Sequence, residues 1–200
     1  MARRKYGWLV AIVGVVVALV AATVGVAVLA HHPTAVPPGC RVASGATHYT
    51  LGFEQAANAT TIAAVGKRLG LPDHAVTIAL ATALAESGLR NLDHGDRDSL
   101  GLFQQRPSQG WGTPTQVMTP SYAAAAFFDH LAHVESWQSL PVTVAAQSVQ
   151  HSATPGAYAG FEHEARALAI ALTGEIPAGL TCDASHTNSQ PAVSLDQTMA

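Results

Sequence analysis

Charge is scarce in this chain: Lys, Arg, Asp and Glu together make up 12% of its 200 residues, about half the share found in an average soluble domain. Basic side chains are the scarcer kind. Three of the ten, Arg3, Arg4 and Lys5, stand at the N-terminus, and no Lys or Arg follows until Arg41. Setting those three aside leaves seven basic residues against 13 acidic, a net of −6, which argues against a nucleic-acid partner. Sustained period-2 alternation bounded by turn residues is missing, and with it the sequence signal for strands. There is no internal repeat. The ten histidines show no zinc-ligand spacing, so neither a metal nor a cofactor is expected. His130 and His133 stand three apart on a helical pattern, but no third ligand is spaced to join them, and solvated or packed histidines are the better reading.

One apolar run is long. From Trp8 to Ala30 there is no charged residue. Twenty-three residues of helix reach roughly 34 Å, enough for a bilayer core of about 30 Å. Arg3, Arg4 and Lys5 precede the run, so the positive-inside bias places 1–7 in the cytoplasm and the rest of the chain outside. The expectation is a single-pass cell-membrane protein spanning at 8–30, with its domain extracytoplasmic. A cleaved signal, with Val28 and Ala30 before the cut and a secreted product, is the alternative, although the run exceeds the usual signal core.

The only two cysteines, Cys40 and Cys182, both fall on the outer side, where thiols tend to pair. A bond between them would close nearly the whole of the remaining chain. In the chain-entropy view that contributes roughly 4–5 kcal/mol; two free thiols are the other reading. "HHPTAVPPG" (31–39) reads as a Pro-rich linker, and the polar stretch 183–200 as a disordered tail. Residues 40–182 between them are one domain's worth.

That domain reads as all-α. Apolar positions at helical spacing run through 53–70 and 71–88, which close on Gly70 and Gly88. Pro120, Pro141 and Pro155 open three further candidates, the last of which closes on Gly174. The stretch from Asn91 to Pro114 is rich in glycine and has no helical pattern, so it is a long loop, the kind that carries function in compact domains.

Glu86 is the oddity. It follows "HAVTIALATALA", which is apolar on nearly every side and so reads as buried all round. A carboxyl at the end of such a helix is near the core. Burial and the negative end of the helix dipole should both raise its pKa, as a general acid requires. An exposed Glu tolerated on a last turn is the plainer reading of this segment alone.

The surrounding motif bears on the choice. Glu86-Ser87 is followed, 15 residues after Glu86, by Gly101-Leu102-Phe103-Gln104 within "SLGLFQQRPSQGWGTPTQ". This resembles the lysozyme-like fold of soluble lytic transglycosylases and goose-type lysozymes, in the local form of secreted actinobacterial members. The resemblance is strong over 72–116, looser over 117–176, and silent on 1–50 and 183–200. It implies a lysozyme-like helical domain with a long cleft loop. It makes Glu86 the acid that protonates the glycosidic oxygen between N-acetylmuramic acid and N-acetylglucosamine, and then the base for the attacking hydroxyl. Ser87 would bond near Glu86 or the substrate. Gly101, Leu102, Phe103 and Gln104 would wall the cleft. Phe103 stands where Met is commoner, which keeps an apolar wall; simple core packing explains it as well.

The family's transglycosylases use one carboxylate, because the substrate's acetamido group steadies the positive sugar and its own 6-hydroxyl attacks. Goose-type members place water with acidic residues. Asp93, Asp96 and Asp98 are therefore the ambiguous point: a solvated turn cluster, water-positioning bases, or oxygen ligands for a cation without a recognised loop pattern. The family's later Ala-Tyr-Asn motif has its nearest match at Tyr158, with Ala159 where Asn would stand. Gln147 and Gln150 are candidate polar groups of the cleft. Trp111, in "QGWG", either stacks on a sugar or covers the core. The expected function is that of an envelope-bound peptidoglycan-cleaving glycosidase, most simply a lytic transglycosylase, whose partner is the glycan strand. A non-catalytic peptidoglycan-binding or scaffold domain is the alternative.

Overall fold

The computed structural model describes residues 38–184 apart from 46, 153 and 155. Three short strands come first and last in this span. β1 (Gly39–Ser44) alternates, with Cys40 and Val42 buried and Arg41 and Ala43 exposed. It pairs antiparallel with β2 (Thr47–Leu51), placing Cys40 opposite Leu51. On its other edge it pairs antiparallel with β3 (Leu180–Asp183), placing Cys40 opposite Cys182. The sheet order is β2-β1-β3, and the inward residues Cys40, Val42 and Leu51 join the helical core.

The all-α expectation is thereby corrected: the domain is mixed, with six helices and a three-stranded antiparallel sheet among the described residues. The physical reason is length and distance. Strands of four to six residues carry too few alternations to register as a period. The β1–β3 pairing joins segments about 140 residues apart, which no local pattern encodes. The same register seats the Cys40–Cys182 disulfide, across a sequence separation of 142, so the expected bond is present.

The single-pass membrane placement is corrected as well. Among the described residues no helix is long and apolar enough to cross a membrane. The expected span, 8–30, the cytoplasmic stretch 1–7 and nearly all of the 31–39 linker lie outside the described residues, as does the tail beyond 184. The disulfide is consistent with an extracellular domain.

The helices are α1 (Phe53–Arg68), α2 (Asp73–Ser87), α3 (Pro114–Val117), α4 (Pro120–Ala132), α5 (Val142–Gln150) and α6 (Glu162–Thr173). α2 is the axle. All ten residues from Ala75 to Leu84 are buried, because α1, α4, α5 and α6 all pack on it. Burying Ile78 or Leu80 fully is worth about 1.5–3 kcal/mol each. Its interior polar groups are satisfied within the helix: the Thr77 hydroxyl donates to Asp73 O at 2.9 Å and that of Thr82 to Ile78 O at 2.8 Å. The last helix begins at Glu162 rather than near Pro155, since Ala159–Phe161 form a 3₁₀ turn with Tyr158 buried just before it. Between α2 and α3 the chain is irregular except for an antiparallel bridge between Leu100 and Gln105 and a 3₁₀ turn at Pro107–Gln109.

Candidate functional site

α2 ends where its chemistry begins. Gly88, at φ 61°, closes the helix in the left-handed conformation, and Leu89 follows at φ 60° although it is fully buried. A left-handed non-glycine costs roughly 1–2 kcal/mol, so something must hold the turn. α1 does. Gln55 Nε2 donates to Gly88 O at 2.8 Å, buried Asn58 Nδ2 to Leu89 O at 2.9 Å, and Glu54 Oε1 accepts from Asn91 N at 3.1 Å. These three residues were not legible as functional. Their only signal is a polar cluster on a helix that otherwise turns apolar residues inward.

The turn places Glu86 on the wall of an open cleft of about 670 Å³, a size suited to a small organic ligand or a few sugar units. Glu86 is half-buried. Its Oε1 accepts a 2.8 Å hydrogen bond from the Tyr158 hydroxyl, 72 positions along the chain. Tyr158 is 1% exposed. Burial first, and the Glu86 carboxylate second, push its phenol well above the ordinary value, so it stays a donor at any physiological pH. Among the described residues Glu86 Oε2 receives no hydrogen bond. The carboxyl is thus oriented through one oxygen and open through the other.

The loop that faces Glu86 divides its residues between structure and surface. Ser87 Oγ lies 2.7 Å from Leu102 O and 3.1 Å from Ala83 O, so it ties the helix end to the loop. Gly101 is at φ 76°, and a Cβ there would run into the Val117 carbonyl oxygen; only glycine fits. Leu102 and Phe103 are fully buried, with Phe103 stacked on Phe127 at 4.8 Å between ring centroids. They support the cleft from beneath. Gln104 lines it, its Nε2 at 3.3 Å from both His94 O and Gly101 O. Gln150 lines it too and donates to Phe103 O at 2.8 Å. Gln147 is turned to Ser152 O.

Trp111 lines the cleft with its ring against His130, centroids 3.8 Å apart and planes within 20°. His130 was read from sequence as a packed or solvated histidine; it forms this stack and also borders the cleft, as do His151 and Ser152. No spacing rule links these positions, because His130 comes from α4 and His151 and Ser152 from the end of α5 and the loop after it.

The three aspartates separate cleanly. Asp98 spends both oxygens: Oδ2 accepts from Ser108 N at 2.8 Å and Oδ1 from Arg106 Nε at 2.8 Å. Ser108 first, then Arg106, hold its carboxyl well below the ordinary carboxylate range. Asp93 is exposed and bonded to His94 Nδ1 at 2.8 Å, which lowers its carboxyl. Asp96 is the one that lines the cleft with Glu86; it is exposed, and its nearest cation is Arg97 Nε at 3.8 Å. The arrangement offers one oriented carboxyl, a second, exposed carboxylate on the same cleft, an aromatic wall and several amide donors. No protein-family model matches the chain, and no curated protein sequence matches it.

Proposed function

We propose that this chain cleaves peptidoglycan between N-acetylmuramic acid and N-acetylglucosamine as a lytic transglycosylase, with Glu86 as both acid and base. The observation that carries the reading is the hydrogen bond from buried Tyr158 to Glu86 Oε1 at the cleft wall, with Oε2 unengaged. Its support from sequence is the Glu-Ser and Gly-Leu-Phe-Gln pair, which Ser87 ties together through Leu102 O and from which Gln104 lines the cleft with Glu86.

The chemistry needs little more. Protonated Glu86 gives its proton to the glycosidic oxygen, the C1–O4 bond breaks, and the leaving sugar departs as an alcohol. The muramyl 6-hydroxyl then attacks C1 and returns its proton to the Glu86 carboxylate. A 1,6-anhydro end forms, no water is consumed, and the enzyme is restored. Tyr158 fixes the plane of the carboxyl throughout, and Trp111 offers a flat apolar face for a sugar ring. Asp96 favours a second outcome. A carboxylate on the same cleft can place water, which would give a reducing end instead.

The test is direct. The full chain is incubated with purified peptidoglycan and the released muropeptides are weighed by mass spectrometry. Anhydro ends support the transglycosylase, and reducing ends assign hydrolysis. Binding without release would leave only a peptidoglycan-binding domain and would sink the catalytic reading.

A further inference from the structure

Beside the cleft lies a second groove of about 510 Å³, which shares His130, Val149 and His151 with it. The two are therefore neighbours along one surface. The groove forms where α4 and α5 end. Asp129 and His130 close α4, His133 caps it, and His151 caps α5 beyond Ser148.

Hydrogen-bond accounting gives the groove its character. His130 Nδ1 is 2.9 Å from Ala126 O, and His133 Nδ1 is 2.7 Å from Asp129 O. A carbonyl oxygen only accepts, so Nδ1 carries the proton in both rings, and in the neutral ring Nε2 is left as a bare acceptor. Ser148 donates its hydroxyl proton to Val144 O at 2.9 Å, so toward the groove it too has only lone pairs. The Asp129 carboxylate forms no ion pair among the described residues. Four of the five polar lining groups, from two helices, thus face one space with acceptors and have no donor to spare; the fifth, the His151 imidazole, can turn either an acceptor or a donor toward it. Among the described residues no group of three His, Cys, Asp or Glu is close enough to hold a metal ion. The acceptors are too dispersed for a bare cation, and they suit a ligand that brings several N–H donors of its own.

We propose that this groove binds a primary ammonium on the peptide arm of the glycan seated in the cleft. The inference rests on the glycan-cleaving reading of that cleft. An ammonium supplies three N–H donors and one positive charge, matching two imidazole nitrogens, a hydroxyl oxygen and a carboxylate. Wall peptides carry such a group on a dibasic amino acid. It is free in a peptide that has not accepted a cross-link and acylated, hence uncharged and with a single N–H, in one that has. The groove accordingly selects peptides whose side-chain amine has not been used in a cross-link.

Binding to the full chain is measured above the ordinary imidazole range, with a disaccharide tripeptide ending in diaminopimelate and with the same probe acetylated on its side-chain amine. The free amine should bind about tenfold tighter, the scale of one charge-assisted hydrogen bond. Asp129→Asn and His133→Phe should bring that ratio near one while leaving the acetylated probe's affinity and the melting temperature unchanged. Equal binding of the two probes to the parent, or a ratio that survives both substitutions, overturns the proposal. The disaccharide without peptide and the tripeptide without sugar separate the two readings. Disaccharide binding with no preference for the amine leaves the cleft reading standing and removes the groove. Amine discrimination by the tripeptide alone, with no disaccharide binding, supports the groove and removes the glycan from the cleft.

Discussion

The end of α2 and the loop across from it each present a carboxylate, and they use it in opposite ways. Glu86 accepts one hydrogen bond, from Tyr158, and keeps its second oxygen for the cleft. Asp98 accepts from Arg106 with one oxygen and from Ser108 with the other. A carboxylate with both oxygens bound holds backbone in place and has nothing left to give a substrate. A carboxylate oriented through one oxygen is positioned and still reactive. The difference is one of unspent valence, and residue type or proximity to the cleft would not have revealed it.

The comparison breaks first at Glu86. Glu86→Gln keeps the shape and cannot transfer a proton, so muropeptide release should fall by roughly 10²–10⁴-fold while the thermal midpoint holds. Release within a few-fold of the parent would mean that the open oxygen is not the reactive one.

Removing the orienting bond is the next largest change. Tyr158→Phe keeps the buried ring and deletes only the hydroxyl. Hydrogen bonds to charged groups are worth about 1.5–3 kcal/mol, so turnover should drop on the order of 10- to 100-fold, with a smaller change in substrate affinity. A variant with unchanged turnover would show that Glu86 is positioned by something else.

Asp98→Asn should do the reverse: a lower melting temperature and near-parental activity per folded molecule. Its folded-state value lies below the ordinary 3.8. Its contribution to stability is therefore complete above the ordinary carboxylate range and is lost as pH falls through and below it. Melts of parent and variant should differ most near neutral pH and converge on acidification. A gap that widened in acid would contradict the bonding scheme of Asp98.

The smallest effect serves as a control away from the cleft. Burial raises the carboxyl of Glu164, in the first turn of α6, above its ordinary 4.5, so ionisation opposes folding there. Glu164→Gln should raise the melting temperature slightly at neutral pH, have no such effect below about pH 4, and leave muropeptide release untouched. Differential scanning calorimetry across that range decides it.

Much of the helical part was legible. α1 and α2 lie where apolar spacing and terminal glycines put them, and α4 and α5 begin at or next to their prolines, because capping and burial of one face are local properties of sequence. The sheet was not legible, since β1 finds β3 only after the intervening chain has folded. Around the site, Glu86 stood out because a lone acid ends an apolar helix. Leu102 and Phe103 belong to the same motif yet point into the core, and a motif does not say which of its residues face a cleft. Asn58 and Gln55 showed only as polar positions on an apolar helix, and His130 only as one of two histidines three apart; each matters through a partner more than 15 positions away.

What the sequence by itself determined is the set of properties that short-range physics encodes: where most helices start and stop, which glycine must close α2, that two cysteines are available to bond, and that one carboxyl ends a buried helix. Tertiary structure decided the rest. It set the sheet and the register that joins Cys40 to Cys182. It brought the Tyr158 hydroxyl onto Glu86 Oε1, committed Asp98 to the loop while leaving Asp96 on the cleft, and gathered the acceptors of two helix ends into one groove. Those outcomes depend on which hydrogen-bonding valences remain after packing, and the count can be made only once every donor and acceptor has a place in space.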